Sequence, residues 1–123
     1  PANAPIDDTL EMLRSYIQEH AFEEINFNAL ADGVNYSAAH LSRLFGKRYG
    51  EPPQRYQISL RISEARRLLT DFGDLTVRQI AERVGYPDQG YFARVFRQIT
   101  GKSPHKYRED GSLRTGGQTE KSK

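Results

Sequence analysis

Apolar residues recur at the spacing of an α-helix through most of this chain. In the first such segment, residues 8–20, the predicted buried stripe comprises Leu10, Leu13, Ile17 and, at its edge, Met12 and Tyr16. Asp7 or Asp8 precedes the stripe and could accept the free N–H groups at the helix start. No stretch shows the apolar–polar alternation of a strand, so the pattern predicts an all-α fold.

Residues typical of helix ends divide the remaining chain into six further helices. The predicted N-caps are Asn26 or Asn28, Ser37, Thr76 and Asp88, and the predicted stops include Gly50, Gly85 and Gly101. Prolines begin two helices, at Pro53 and Pro104. The predicted spans are a short helix ending at 31, then 38–49, 53–71, 77–84, 89–100 and 104–108. From residue 110 to 123 the chain is polar and aperiodic, which predicts a disordered tail.

One stretch of sequence occurs twice. LSRLFGKRYGEPPQRY begins at Leu41, and FARVFRQITGKSPHKY begins at Phe92, 51 positions later. Upstream, Tyr36 matches Tyr86 at an offset of 50, so one extra residue has entered the turn of the second copy. Chance rarely gives so many like positions in register, and we interpret the pattern as an internal duplication.

Each copy consists of a short helix, a tight turn and a longer helix. Ala31 and Ala81 would let the two helices of each copy approach closely. Such a unit is either a helix-turn-helix, whose second helix enters a DNA major groove, or an αα-hairpin that serves only as core. The duplication favours the first. The helix from Pro53 to Leu69 would be about 25 Å long. With the width of its flanking helices added, that length brings adjacent major grooves, roughly 34 Å apart, within reach.

Charge is distributed unevenly along the chain. The net charge is only +2, but residues 1–32 carry −6, residues 33–110 carry +6 and residues 111–123 carry +2. A basic repeat region suits a polyanionic partner such as nucleic acid. No apolar run approaches the ~20 residues that a membrane-spanning helix needs. The chain has no cysteine, which excludes disulfides and thiolate metal sites within it and allows a reducing compartment.

The densest motif resembles a known family. RISEARRLL, followed by IAERVGYPDQGYFARVFRQITGKSPHKYR, is similar to the C-terminal DNA-binding domain of AraC/XylS-type bacterial transcription regulators. The resemblance covers about residues 8–109 and implies seven helices. They would form two helix-turn-helix subdomains, 8–52 and 72–109, bridged by a long helix over 53–71, with residues 1–7 as a linker remnant. It also implies sequence-specific binding of double-stranded DNA as an activator or a repressor of transcription. We expect activation, an effector-binding domain in the full-length protein, and a cytoplasmic location.

Candidate base-reading side chains lie on the helix faces opposite the apolar stripes. In the first reading helix, Arg43 is the side chain able to bind guanine O6 and N7 bidentately. The resemblance places base contacts at Ala39, Ser42, Arg43, Gln89, Gly90 and Arg94. Ala39 and Gly90 have almost no reach, so Gln89 and Arg94 are the stronger candidates in the second helix.

Phosphate contacts are predicted at helix ends and flanking faces, where backbone amides and cations can meet the DNA backbone. The candidates are Ser37, Lys47, Thr76, Arg97, Ser103, Lys106 and Arg108. Each of them could instead be an ordinary solvated residue.

The acidic first third of the chain indicates a different partner. Its carboxylates would be repelled by phosphate, so this side either faces solvent or contacts RNA polymerase or a companion effector domain. The three histidines share no metal-ligand spacing, and no phosphate-binding glycine-rich loop or nucleophile–base pair is evident. No cofactor, metal or catalytic residue is therefore expected. The competing interpretation is a helical protein-interaction module whose basic face binds an acidic partner.

Overall fold

The computed structural model describes residues 5–111. Within this range the chain forms seven helices and no strand. The helices are α1 Ile6–Glu19, α2 Phe27–Gly33, α3 Ala38–Tyr49, α4 Pro53–Asp71, α5 Val77–Arg83, α6 Gln89–Thr100 and α7 104–111. The predicted all-α fold is confirmed, and α3, α4 and α6 have the predicted bounds.

The chain divides into two compact units, Pro1–Leu60 and Arg61–Lys123. The division falls within α4, so the first half of this helix belongs to one unit and the second half to the other. The predicted subdomains 8–52 and 72–109, with the whole of α4 as the linker between them, stay a prediction.

One apolar cluster holds the first unit together. Its buried members are Leu10, Leu13, Ile17, Ala31, Leu41 and Phe45. Both α1 and α2 pack against α3. Ala31 has no exposed surface, and its short side chain allows the close approach of α2 to α3 that the sequence predicts.

The second unit is built in the same way. α5 packs against α6, and Ala81, Phe92 and Phe96 are fully or almost fully buried. The Phe96 ring lies 5.7 Å from that of Phe92 and 5.4 Å from that of Tyr107, centroid to centroid. The equivalent pair in the first unit, Phe45 and Tyr56, is 5.8 Å apart.

The sequence repeat is also a repeat of backbone geometry. Gly50 and Gly101 follow α3 and α6 with φ of 92° and 86°, the left-handed conformation that glycine adopts without strain. Each donates its N–H to the carbonyl four residues earlier at 2.8 Å. The two long helices of the repeat therefore end in the same way.

The turn between the paired helices differs by one residue. The left-handed position is Asn35 in the first turn, with φ of 64°, and Gly85 in the second, with φ of 98°. The second turn then holds Pro87 before the cap at Asp88, whereas in the first turn the cap Ser37 comes one residue sooner. Pro87 accounts for the change of offset in the sequence repeat.

The predicted start of α1 is wrong. The helix begins at Ile6, with Pro5 at the N-cap and no side-chain cap, and Thr9 donates its N–H to the Pro5 carbonyl at 3.0 Å. Asp7 and Asp8 lie instead in the first turn, where their charge interacts favourably with the helix dipole. Residues 6 and 7 are thus helical rather than linker, and residues 1–4 lie outside the described range.

Three other expectations need correction. Met12 and Tyr16 are exposed rather than part of the buried stripe. Asn26, not Asn28, caps α2, which continues to Gly33. The last helix extends to residue 111, where the predicted tail has already begun. A contact of 2.6 Å between Lys102 Nζ and Asp110 Oδ2 anchors that extension. Residues 112–123 lie outside the described range.

Candidate nucleic-acid interface

The first candidate reading helix is α3. Ser37 begins it by accepting the N–H of His40 on its hydroxyl at 3.1 Å. Ala39 and Arg43 are exposed on its outer face, and Ser42 is half-buried. The Arg43 guanidinium forms no hydrogen bond or ion pair with any residue in the described range. It is therefore free to bind a ligand.

The second candidate reading helix is α6. Asp88 begins it, and its carboxylate accepts the N–H groups of Gly90 at 2.8 Å and Tyr91 at 3.3 Å. Gln89, Gly90 and Arg94 are all exposed. Within each unit, the predicted base-reading residues lie together near the N-terminus of one helix.

Gly90 lies in a confined position. A Cβ built on it would lie 3.3 Å from the capping carboxylate of Asp88 and 3.8 Å from a terminal nitrogen of Arg94. A larger residue would therefore crowd the Asp88 carboxylate and come into ordinary contact with Arg94. The contribution of Gly90 is space for its neighbours, which agrees with the expectation that it has little reach of its own.

Tyr91 is a functional candidate that the sequence reasoning did not name. Its ring is half exposed, and the Arg94 guanidinium carbon lies 5.8 Å from its centroid. Tyr91 also lies 5.8 Å from the buried ring of Tyr86. The sequence signal for this contact was the spacing of three residues between Tyr91 and Arg94, which makes them neighbours on the surface of one helix.

The charge of the reading helices is of one sign. α3 and α6 contain basic residues and no acidic residue. The exposed acids of the first unit lie largely on α1, and two of them, Asp7 and Glu11, pair with Arg48 at 2.9 and 3.4 Å. The outer faces of both reading helices are thus suited to a polyanion.

The predicted phosphate-binding residues fall into two groups. Lys47 and Arg97 are exposed and form no ion pair within residues 5–111. Ser37, Thr76 and Ser103 are helix caps, each accepting a backbone N–H at 3.0–3.1 Å. Each of these hydroxyls retains its own proton for a phosphate oxygen.

Lys106 and Arg108 have partners within the second unit. Lys106 Nζ lies 3.5 Å from carboxylate oxygens of Glu109 and of Asp110. Arg108 donates to the Leu69 carbonyl at 3.1 Å and to the Phe72 carbonyl at 3.2 Å, at the C-terminal end of α4. Sequence position alone had placed both side chains toward the DNA backbone. Their contacts give them a structural role and make them weaker phosphate candidates than Lys47 and Arg97.

Lysines beside Asp110 shift the pKa of its carboxyl group. The hydrogen bond from Lys102, together with the charges of Lys102 and Lys106, holds the pKa of Asp110 below its usual range. In return, the charges and hydrogen bonds of Asp110 and Glu109 raise the pKa of Lys106. Asp110 and Lys106 therefore both stay ionised near neutral pH.

Among residues 5–111, no group of three or more histidine, aspartate or glutamate side chains is placed to hold a metal ion. No helix in that range is long and apolar enough to cross a membrane.

Comparison with known proteins gives the fold a family. A family model described as "Helix-turn-helix domain" matches residues 30–110. The transcriptional activator RhaS of Escherichia coli O1:K1 is 35% identical over 106 residues, which cover 85% of this chain and 38% of RhaS. The chain therefore spans about two fifths of the length of that relative.

Two solved structures are similar in both fold and sequence. The C-terminal domain of AraT, a response regulator from Geobacillus stearothermophilus, has a TM-score of 0.76 and 32% identity, covering 89% of this chain and 88% of that one. The DNA-binding domain of AdpA, solved in complex with a target DNA, has a TM-score of 0.76 and 28% identity, covering 86% and 95%. The named relatives are transcription regulators rather than enzymes. The match of the helix-turn-helix model, the similarity to RhaS and the paired helices of each unit show that this chain is a DNA-binding domain of the AraC/XylS family of transcription regulators.

Proposed function

We propose that the chain binds double-stranded DNA sequence-specifically by inserting α3 and α6 into two successive major grooves, and that it activates transcription. The observation that carries this proposal is the recurrence of an exposed arginine, Arg43 and Arg94, at the same place on two acid-free helices. A surface ion pair would not require the same arginine twice, whereas two half-sites would.

Arg43 and Arg94 are the principal base readers in this proposal. A guanidinium bound to O6 and N7 of guanine contributes about 1–3 kcal/mol of discrimination against other bases. Gln89 adds a side chain that can bind adenine bidentately, and Ser42 one that can bind several bases. Ala39 supplies an apolar contact for a thymine methyl group.

Backbone contacts position the two helices. Lys47 and Arg97 are exposed cations near the ends of α3 and α6, and each reading helix begins at a capped N-terminus with further free amides. Ser37 at the start of α3 and Thr76 at the start of α5 each have a hydroxyl proton to donate to a phosphate oxygen. A set of phosphate contacts of this size makes affinity fall steeply as salt rises.

The length of α4 supports the use of two grooves by one chain. Its 19 residues correspond to about 28 Å at a rise of about 1.5 Å per residue. Neighbouring major grooves on one side of B-DNA are roughly 34 Å apart. A single chain carrying two reading helices can then do what simple helix-turn-helix proteins do as dimers.

One relative supports the proposed regulatory direction, and the acidic charge of α1 supports a protein partner. RhaS is named as an activator, and this chain covers only 38% of it. We therefore propose activation, an effector-binding domain elsewhere in the full-length protein, and contact between the acidic α1 side and RNA polymerase.

The test is selection from a random-oligonucleotide pool followed by mobility shift. We expect enrichment of one motif made of two half-sites about 10–10.5 base pairs apart. Enrichment of a single half-site would contradict the use of two grooves. If no sequence is enriched, the protein-interaction module is the better account.

A further inference from the structure

An apolar groove lies open on the surface of the first unit, between α1 and α2. It has a volume of about 120 Å³, and its walls include Leu13, Leu30, Val34 and Leu41. Met12 and Tyr16 form its rim on α1, and the Met12 side chain is 61% exposed. For scale, an engineered apolar cavity of about 150 Å³ binds benzene. This groove therefore has room for about one branched aliphatic side chain.

Carboxylates flank the rim at both ends. Asp8 lies four residues before Met12, and Glu19 lies three residues after Tyr16, so these four residues follow one face of α1. Asp8 and Glu19 form no ion pair within residues 5–111. A ligand of this surface would need an apolar group at its centre and positive charge on either side.

The groove is on the side of α3 opposite its proposed base-reading residues. Leu41, in the groove wall, is two residues from both Ala39 and Arg43, which is about 200° around an α-helix in either direction. An α3 helix seated in a major groove would leave the Leu41 side free. The acidic rim would also be repelled by phosphate, so DNA is not the ligand that this surface fits.

Exposed methionine beside an apolar groove is characteristic of a protein-docking surface, because the flexible thioether adapts to different side chains. In helix-in-groove recognition an amphipathic helix lays its apolar face into a hydrophobic groove, and a groove of this size has room for one of the apolar side chains on that face. A second copy of the chain is less suited, because the basic faces that could meet the acidic rim belong to the reading helices that would then be lost to DNA.

We propose that this groove docks an amphipathic helix of a protein partner, which inserts one aliphatic side chain beside Met12 and Tyr16 and places Lys or Arg side chains against Asp8 and Glu19. Docking itself needs no DNA. Its role in recruiting the partner to a promoter rests on the proposed function.

The probe is a labelled helical peptide of about 15 residues, with leucines on one face and lysines flanking them. Its binding to the 123-residue chain is measured by fluorescence anisotropy, and its site by NMR chemical-shift changes. We expect saturable binding with shift changes at groove residues. Exchanging the leucines for alanine, or the lysines for glutamate, should each weaken binding about tenfold or more.

Protein variants separate docking from general charge attraction. Met12→Ser should weaken peptide binding about tenfold, and the double variant Asp8→Asn, Glu19→Gln should weaken it by a similar factor. Glu24→Gln, an exposed acid that is not among the residues lining the groove, is the matched control and should change nothing. Circular dichroism melting checks that each variant is folded, and a fold defect in Met12→Ser is unexpected because that side chain is largely exposed.

Three results would overturn the proposal. They are no peptide binding up to about 1 mM, binding that is indifferent to Met12→Ser, and Met12-dependent self-association of the chain in sedimentation. A mobility shift with the selected operator runs in parallel, and Met12→Ser should leave DNA affinity within about twofold of the parent. If DNA binding fails in every variant including the parent, the proposed function fails and the peptide result still decides the docking proposal.

Discussion

Arg94 lies over the ring of Tyr91, with 5.8 Å between its guanidinium carbon and the ring centroid. Tyr91 in turn rests near the buried ring of Tyr86, whose hydroxyl pKa is raised by burial. An arginine held against an aromatic ring samples fewer rotamers than a free one, so less entropy is lost when it binds a base. We accordingly expect Tyr91 to position Arg94 for its base.

Replacing Tyr91 should reduce discrimination at one base pair more than it reduces affinity for DNA of any sequence. Tyr91→Ala is expected to reduce discrimination at the base read by Arg94 by about 0.5–1 kcal/mol, the strength of an exposed cation–π contact. Tyr91→Phe keeps the ring and should retain the discrimination. Competition binding with operators that differ at that one base pair measures both. Equal loss by both variants on all sequences would instead indicate that the hydroxyl binds phosphate.

The aromatic centre of each unit should dominate its stability. Phe45 and Phe96 have no exposed surface, so Phe45→Ala or Phe96→Ala should lower the free energy of unfolding by about 3–5 kcal/mol through lost burial and a cavity. Urea denaturation measures the change. Phe22 is 44% exposed, and Phe22→Ala should cost no more than about 0.5–1 kcal/mol. Similar costs for all three would show that the repeat positions are not the cores.

Substitutions of Arg97 and Arg108 should distinguish a side chain that binds DNA phosphate from one that binds carbonyls at the end of α4. Arg97→Met is expected to make the salt dependence of DNA binding shallower by about 0.9 in the log–log slope, because one phosphate contact is lost. Arg108→Met should leave that slope unchanged and lower stability by about 1–3 kcal/mol, since the Leu69 and Phe72 carbonyls lose a charged donor. A slope change with Arg108→Met would restore that residue as a phosphate contact.

The pKa of the Asp110 carboxyl should depend on its contact with Lys102. Because its pKa is lowered in the folded state, the stabilisation is present above the unfolded-state pKa and is lost as the pH falls through the folded-state pKa. Lys102→Met removes the largest cause and should raise the pKa of Asp110, as measured by NMR titration of its carboxyl carbon. An unchanged pKa would show that the contact of Lys102 with Asp110 is not maintained in solution.

Local chemistry made much of the fold predictable from the sequence. Ser37, Thr76 and Asp88 were predicted caps and do cap their helices, because a cap depends on a side chain and an amide two or three residues away. Gly50 and Gly101 end helices because the left-handed conformation favours glycine. Such signals need no knowledge of tertiary structure.

What the sequence missed depends on long-range or backbone contacts. Pro5 is the N-cap of α1 and contributes only its backbone carbonyl, so no capping side chain marks the start of this helix in the sequence. Arg108 binds carbonyls more than 30 residues away, and no local pattern signals such contacts. Met12 fits a helical stripe, but whether a stripe residue is covered depends on how far the neighbouring helix extends. Periodicity predicted the exposed faces of α3 and α6, the family resemblance placed the base-reading candidates on them, and their roles remain predictions.

The most direct test of the central claim is the effect of Arg43→Ala and Arg94→Ala on binding to every single-base variant of the selected operator. We predict that each substitution abolishes about 1–3 kcal/mol of discrimination in one half-site only, with Arg43 and Arg94 acting on different half-sites. If both substitutions weaken binding to all sequences equally, the arginines are phosphate contacts and the account of two reading helices is contradicted.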